Sequence, residues 1–267
     1  MAKNSLLGKT PFVLKFLSGI ALAVFLVPLA ALLARAPWSQ MPSRIASPEL
    51  LDALWLSFLT ASIAALVCVP IGVPLAWMLA RIDFRGRRLV RAIVTVPLIM
   101  PPVVAGVALL TAFGRNGMVG GTLFDVFGIT IPFSTAAVVM AQTFVALPFL
   151  VITVEGTIRT TDLTYEEVAA SSGASRWQTF ILVNVPLAAP GILGGVVLAW
   201  ARALGEFGAT ITFAGNSPGV TRTMPLEIYT VLQTDPDAAI ALSVILLAIS
   251  IVILALLREK WLSSAMG

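Results

Sequence analysis

Six windows of this chain, residues 16–34, 53–80, 92–114, 126–154, 177–201 and 238–257, contain no Asp, Glu, Lys or Arg. A helix that crosses the hydrocarbon of a bilayer needs roughly 17–25 largely apolar residues, so each window is long enough to be a span. A water-soluble core cannot absorb them. The 267 residues are 58% hydrophobic and 11% charged, against roughly 45–50% and about 25% in soluble domains. The mean hydropathy of +0.99 leaves too little polar material for a solvated shell. The expectation is an all-α polytopic membrane protein with six transmembrane helices. Lys3, Lys9 and Lys15 precede the first window as they would a signal peptide, but its 19 uncharged residues exceed the usual core of about 7–15. It is read as a span.

Composition also removes several chemistries. Cys68 is the single cysteine and histidine is absent, so no intramolecular disulfide and no Cys/His zinc site can be assembled. No catalytic residue or metal ligand is assigned, and a membrane enzyme finds no clustered nucleophile and base. The net charge of +4 is read as a topology signal rather than as a nucleic-acid footprint. Lys3, Lys9, Lys15, Arg81, Arg85, Arg87, Arg88, Arg91, Arg159, Arg176, Arg258 and Lys260 fall on one side of a six-span chain; only Arg35, Arg44, Arg115 and Arg222 fall on the other. Positive residues stay inside, so both termini are expected in the cytoplasm. The outer connections, 35–52, 115–125 and 214–237, are too short for an external domain.

The one long inner connection is 155–186. Thr164 followed by Glu167 reads as a capping box, and Glu166 and Glu167 fall in a first turn, where the helix dipole favours negative charge. "EEVAASSGA" then predicts a short helix ending near Gly173, with Pro186 and Pro190 punctuating the start of the next span. The small residues Ala169, Ala170, Ser171, Ser172 and Ala174 let another surface approach the backbone. An ordinary interfacial helix with a wet polar face is the plainer reading.

The loop resembles the signature of importer-type ABC permeases. Glu167, Val168 and Ala169 stand where that family shows Glu-Ala-Ala, Gly173 holds its glycine, and Val185-Pro186 stands for Leu-Pro. The resemblance implies a type I importer (MetI-like) permease fold over 53–257, with 1–52 as an added first helix and its flanks and 258–267 as a cytoplasmic tail. It also implies that this helix sits in a cleft of an ATP-binding subunit. Glu166, Glu167, Val168, Ala169, Ala170, Gly173, Ala174 and Arg176 would then be coupling residues. The chain has no ATPase site of its own. "GKT" at 8–10 lacks the earlier glycine and strand of a phosphate loop, and "LSG" at 17–19 lies in an apolar span. No cofactor is expected in this chain; ATP and Mg would be held by the partner.

The fifth window is expected to continue as helix over about 187–213, carrying Arg202 and Glu206 four apart on one face. Ionisable residues at membrane depth are functional candidates by default; a structural ion pair is the alternative. Gly191 and Gly195 are spaced for close helix contact, and Gly205 and Gly208 bracket a flexible point. Segment three carries Pro97, Pro101, Pro102 and Gly106. Irregular backbone at depth is tolerated where it is buried or lines a cavity. Segments three and five, with Pro101, Pro102, Gly106, Arg202, Glu206, Gly208 and Thr210, are therefore the pore and gate candidates. Thr212, Asn216, Thr221 and Thr223 could offer donors at the outer mouth, and Arg115 and Arg222 could attract an anion; capping of helix ends is the plainer role for each.

"GEFGATITF", "AGNSPGVTRTMPLEIYTVLQ" and "PLIMPPVVAG" resemble molybdate ABC transporter permeases, close to the sulfate/thiosulfate permeases. That resemblance implies import of an oxyanion, molybdate or tungstate, by a permease homodimer in the lipid bilayer. Two ATP-binding subunits and an external oxyanion-binding protein would serve it. The alternatives are a sulfate/thiosulfate ABC permease and an ion-coupled secondary transporter; for the second, Glu206 is the sole acid placed at depth and no internal repeat is visible.

Overall fold

The structure is a computed structural model and describes residues 11–45 and 47–264. Lys3, Lys9 and the 8–10 run lie outside the described residues, as do the side chains of Arg258 and Lys260. The chain forms α1 (Phe12–Arg35), α2 (Met41–Ile45), α3 (Pro48–Arg81), α4 (Arg87–Ile99), α5 (Pro102–Phe113), α6 (Gly120–Phe127) and α7 (Thr135–Thr160). After these come α8 (Thr164–Ser171), α9 (Arg176–Thr179), α10 (Val185–Leu204), α11 (Gly208–Phe213), α12 (Met224–Leu232) and α13 (Pro236–Ser264). There is no strand among the described residues.

α1, α3, α7, α13 and the continuous stretch from α9 through α10 are each long and apolar enough to cross a membrane. The remaining window is not one helix. α4 and α5 meet at 118°, because Met100 and Pro101 are both extended, at ψ 131° and 134°. A proline bars the helical region to the residue before it, and consecutive prolines apply that rule twice. The crossing is nevertheless completed. Arg87 Nε donates to the Leu79 carbonyl at 2.9 Å, beside Arg81 at the end of α3, whereas Thr135, at the start of α7, bonds the Val220 carbonyl near the opposite end. Between them the chain passes from the basic end to the far end, so the bent α4–α5 pair can be counted beside the five long helices as a sixth span of a multi-pass membrane architecture.

Two other windows shift. The fourth begins only at Thr135. Gly128, at φ +67°, stops α6, and the Ser134 hydroxyl accepts from the Ala137 N–H to start α7. α7 then runs through Glu155 to Thr160 and the next membrane-length helix begins at Arg176, so the predicted 155–186 loop shrinks to 161–175, with α8 inside it. Pro186 has no N–H for the Leu182 carbonyl four residues back, and the ladder ahead of it widens into a π turn over Phe180–Asn184. Helix continues through residues 258–264 at the end of α13.

α7 lies between α3 and α10, and the core there is built from small residues: Ala61, Ala64, Ala65 and Ala76 of α3 and Ala188 and Ala199 of α10 against Ala146, Leu150 and Val154. Small side chains substitute close van der Waals packing for the hydrophobic drive that lipid does not supply. A β-carbon at Gly195 would come 3.1 Å from Leu150 Cδ1, and one at Gly191 would collide with Thr157, so the expected close approach at both glycines is made against α7. α1 has no buried residue. Between Lys15 and Arg35 its side chains are apolar on every face apart from Ser18, the pattern of a helix in contact with lipid.

Candidate coupling surface and the paired helix breaks

α8 closes the short loop at the basic end. The predicted capping box at Thr164 does not form, since Leu163 occupies the N-cap position without a side-chain bond. Asp162 intervenes: its carboxylate accepts from the Thr164 N–H at 3.0 Å and the Thr164 hydroxyl at 2.8 Å. The backbone bond first, then the hydroxyl, hold the Asp162 carboxyl below the usual carboxylate range. An ionised acceptor two residues upstream captures the amide that the box needed. A capping box is present instead at Ser175 and Gln178, where α9 begins. Gly173 ends α8 in the left-handed region at φ +84°, the role expected of it.

Glu166 and Glu167 diverge. Glu166 is half-buried and takes a 2.6 Å ion pair from Arg81 Nε, whereas Glu167, Val168 and Ala170 are exposed. A cleft of about 430 Å³ lies between α8 and the α3–α4 turn, lined among others by Trp77, Arg81, Glu166, Glu167, Ala170 and Arg176. Ala174 also lines it; Ala169 is half-buried beside it.

At membrane depth the Arg202–Glu206 pair forms at 2.6 Å, with the Glu206 side chain 1% exposed. The helix carrying it is not continuous over 187–213. α10 stops at Leu204, and α11 starts at Gly208. Glu206 bridges the interruption, one oxygen on Arg202 and the other accepting from the Ala209 N–H at 2.8 Å. The carboxylate thus ties the last turn of α10 to the first amides of α11, where the dipole favours it.

This break clasps the other one. A β-carbon at Gly208 would lie 2.5 Å from Pro102 Cβ, and one at Gly106 would lie 2.6 Å from Thr212 Cβ and 2.9 Å from the Ala209 carbonyl. Pro102, Gly106 and Gly208 therefore meet at one place, with Pro101 at the bend before it and Thr210 buried on α11. Neither the Thr210 hydroxyl nor either amide atom of buried Gln142 has a partner among the described residues.

Most of the outer-mouth candidates are bonded within the chain, in line with the plainer role. Arg222 donates to Asn216 Oδ1 at 2.9 Å and pairs with Glu227 at 3.3 Å, and Arg115 sits 4.0 Å over the Phe124 ring. Thr212 bonds the Gly208 carbonyl and Thr221 accepts from the Ser217 N–H. These groups are engaged within the chain, whereas the Thr223 hydroxyl, also expected at the mouth, is buried without a partner among the described residues. Arg81 and Trp77 of the cleft, buried Asn184, and Glu155 held by Arg91 and Arg159 at 2.6 and 2.9 Å, were not singled out from sequence. Asn184 carried a signal, as the lone polar residue in "FILVNVP".

Residues 72–264 match the model of the binding-protein-dependent transport system inner membrane component family. The chain belongs to that family. The matched region of this transport permease holds α8 and both helix breaks. Among similar proteins is the molybdenum transport system permease protein ModB of Mycobacterium tuberculosis, 51% identical over 236 residues, covering 88% of this chain and 89% of the relative. The protein of the same name from Escherichia coli strain K12 is 41% identical over 212 residues, covering 79% and 93%. A crystal structure of a bacterial ABC transporter involved in alginate import superimposes with a TM-score of 0.74 at 18% identity, over 94% of each chain. The permease therefore has the type I importer fold.

Proposed function

We propose that this chain is the membrane subunit of an ATP-driven importer of molybdate, working by alternating access. The observation that carries the cargo is the 51% identity, over 88% of the chain, to a permease named for molybdenum transport. In this reading the basic end faces the cytoplasm, and a homodimer encloses the path in the lipid bilayer. Two partner subunits bind ATP and Mg and receive α8 in a cleft, and an external binding protein delivers the oxyanion. Glu167, Val168 and Ala170, exposed on α8, are the partner's contacts. The core is 53–257, with α1 as an accessory anchor.

The clasp of α5 on α11 is the proposed gate. Two interrupted helices can pivot at Met100–Pro101 and Gly205–Phe207 without breaking α3, α7 or α10. An oxyanion needs hydrogen-bond donors along its path more than deep charge, since tight binding impedes release. The unpartnered Gln142 and Thr210 side chains support a second packing arrangement, because leaving a buried polar group unsatisfied costs about 1–3 kcal/mol. An ion-coupled carrier is disfavoured, since both Glu206 oxygens are already bonded.

Reconstituting the permease with its ATPase subunits and binding protein in proteoliposomes tests the assignment. Uptake should require ATP and should be competed by molybdate and tungstate more strongly than by sulfate. Uptake by the permease alone along an ion gradient would overturn it. Glu167→Lys should abolish ATPase binding or uptake; full assembly and full uptake would remove α8 from the coupling role.

A further inference from the structure

α8 is eight residues long and buries none of them. Apolar packing therefore cannot be what fastens it to the membrane helices. The structure assigns that task to Glu166. Arg81, the last residue of α3, donates through Nε to Glu166 at 2.6 Å and through Nη2 to the Thr161 carbonyl at 2.8 Å, so one guanidinium grips both α8 and the turn before it. The pair is shielded, with 9% of the Arg81 side chain and 21% of the Glu166 side chain exposed. Screening by water and salt is weaker there than at an open surface.

The second hold comes from the π turn that leads into α10. Asn184 is 2% exposed and ends the π turn. With its amide set to satisfy both neighbours, its nitrogen donates to the same Glu166 oxygen at 2.8 Å and its oxygen accepts from Trp77 Nε1 at 3.2 Å. Trp77 belongs to α3 and packs on Phe180 of the π turn, ring centres 5.2 Å apart. A single carboxylate oxygen thus joins α8, α3 and α10. Shielded networks of this kind act as a unit, and π turns inside α-helices recur at functional sites.

We propose that Glu166 is a positioning residue that latches α8 to α3 through Arg81 and to α10 through Asn184. The latch sets how much of the partner's motion reaches the spans, while Glu167 faces the partner. The inference rests on α8 being the coupling helix. Displacing α8 without the latch would leave α3 and α10 behind, so ATP would be hydrolysed without transport.

The test is molybdate uptake per ATP hydrolysed, in proteoliposomes holding the full complex. Glu166→Gln should still copurify with the ATPase subunits, but uptake per ATP should fall about fivefold or more, the lower range of allosteric coupling. Asn184→Leu, which keeps the bulk and removes the bond to Glu166, should shift the ratio in the same direction. The exchanged pair Arg81→Glu with Glu166→Arg should recover part of it, which a merely structural defect would not do. An assembled Glu166→Gln or Asn184→Leu complex with the wild-type ratio would overturn the latch. Glu167→Lys reports separately: unchanged assembly and uptake there sink the coupling reading of α8.

Discussion

Gln142 lies on α7 with no solvent exposure and with neither amide atom bonded among the described residues. Buried polar groups left unpaired cost about 1–3 kcal/mol, and replacing one by an apolar group of similar shape can stabilise. Gln142→Leu should therefore raise the thermal midpoint of the purified permease while slowing uptake, if the second state is where the amide is satisfied. A lower midpoint would mean that Gln142 already has its partner in this state. At the far end, Asp235 accepts from the Ala238 N–H and pairs with Arg44 at 2.8 Å. The backbone bond first, then Arg44, hold its carboxyl below the usual range. A carboxyl depressed in the folded state stabilises above its unfolded value, near pH 4, and loses that contribution as pH falls towards its folded value. Asp235→Asn should melt earlier than wild type at neutral pH, and the gap should close on acidification through that range. A gap that stays constant from pH 7 to about pH 3 would mean that the carboxylate is not its source.

Among the elements, the two breaks behave as one unit because their smallest residues interlock. Gly208→Ala would drive a methyl into Pro102 Cβ at 2.5 Å and towards the Pro102 carbonyl carbon at 3.3 Å, and overpacking of this kind costs about 1–3 kcal/mol. Gly156→Ala on α7 meets nothing within 4 Å and should be neutral or gain up to about 1 kcal/mol from helix propensity. Equal melting shifts for the two variants would mean that the clasp is loose. Both interruptions were partly legible beforehand. Paired prolines at 101 and 102 marked irregular backbone, yet not a reversal of 118°, since direction after a proline break is set by what the next helix packs on. The end of α10 was missed because "ARALGEFGATITF" stays apolar around one charged pair, and nothing local says that Glu206 will cap α11 instead of continuing α10. The capping box was placed at the wrong serine or threonine for a related reason. Asp162 takes the Thr164 amide that Glu167 would have held, while Ser175 and Gln178 offer the same spacing further on, and spacing alone does not rank the two.

For the whole molecule, the apolar windows were enough to name the class, and the arginine distribution separated one end of the bundle from the other. The pairing of α7 with both α3 and α10 was not readable, because alanines and glycines on a uniformly apolar helix leave no polar face to mark the packed side. Orientation can be checked directly. Cys68 is fully buried, so it is a silent background for a cysteine placed at exposed Ser172 on the basic end. Ser172→Cys in sealed cells should resist a membrane-impermeant thiol reagent and react in inverted vesicles, and the opposite pattern would reverse the topology. The position of α7 also sets an order of assembly. One of its walls, α3, is synthesised before it, and the other, α10, begins only about fifty residues after Ser134. Until α10 leaves the ribosome, the groove beside Thr157 and Leu150 must be filled by acyl chains or by the insertion machinery. The bundle can shut only when Gly191 and Gly195 arrive to displace them.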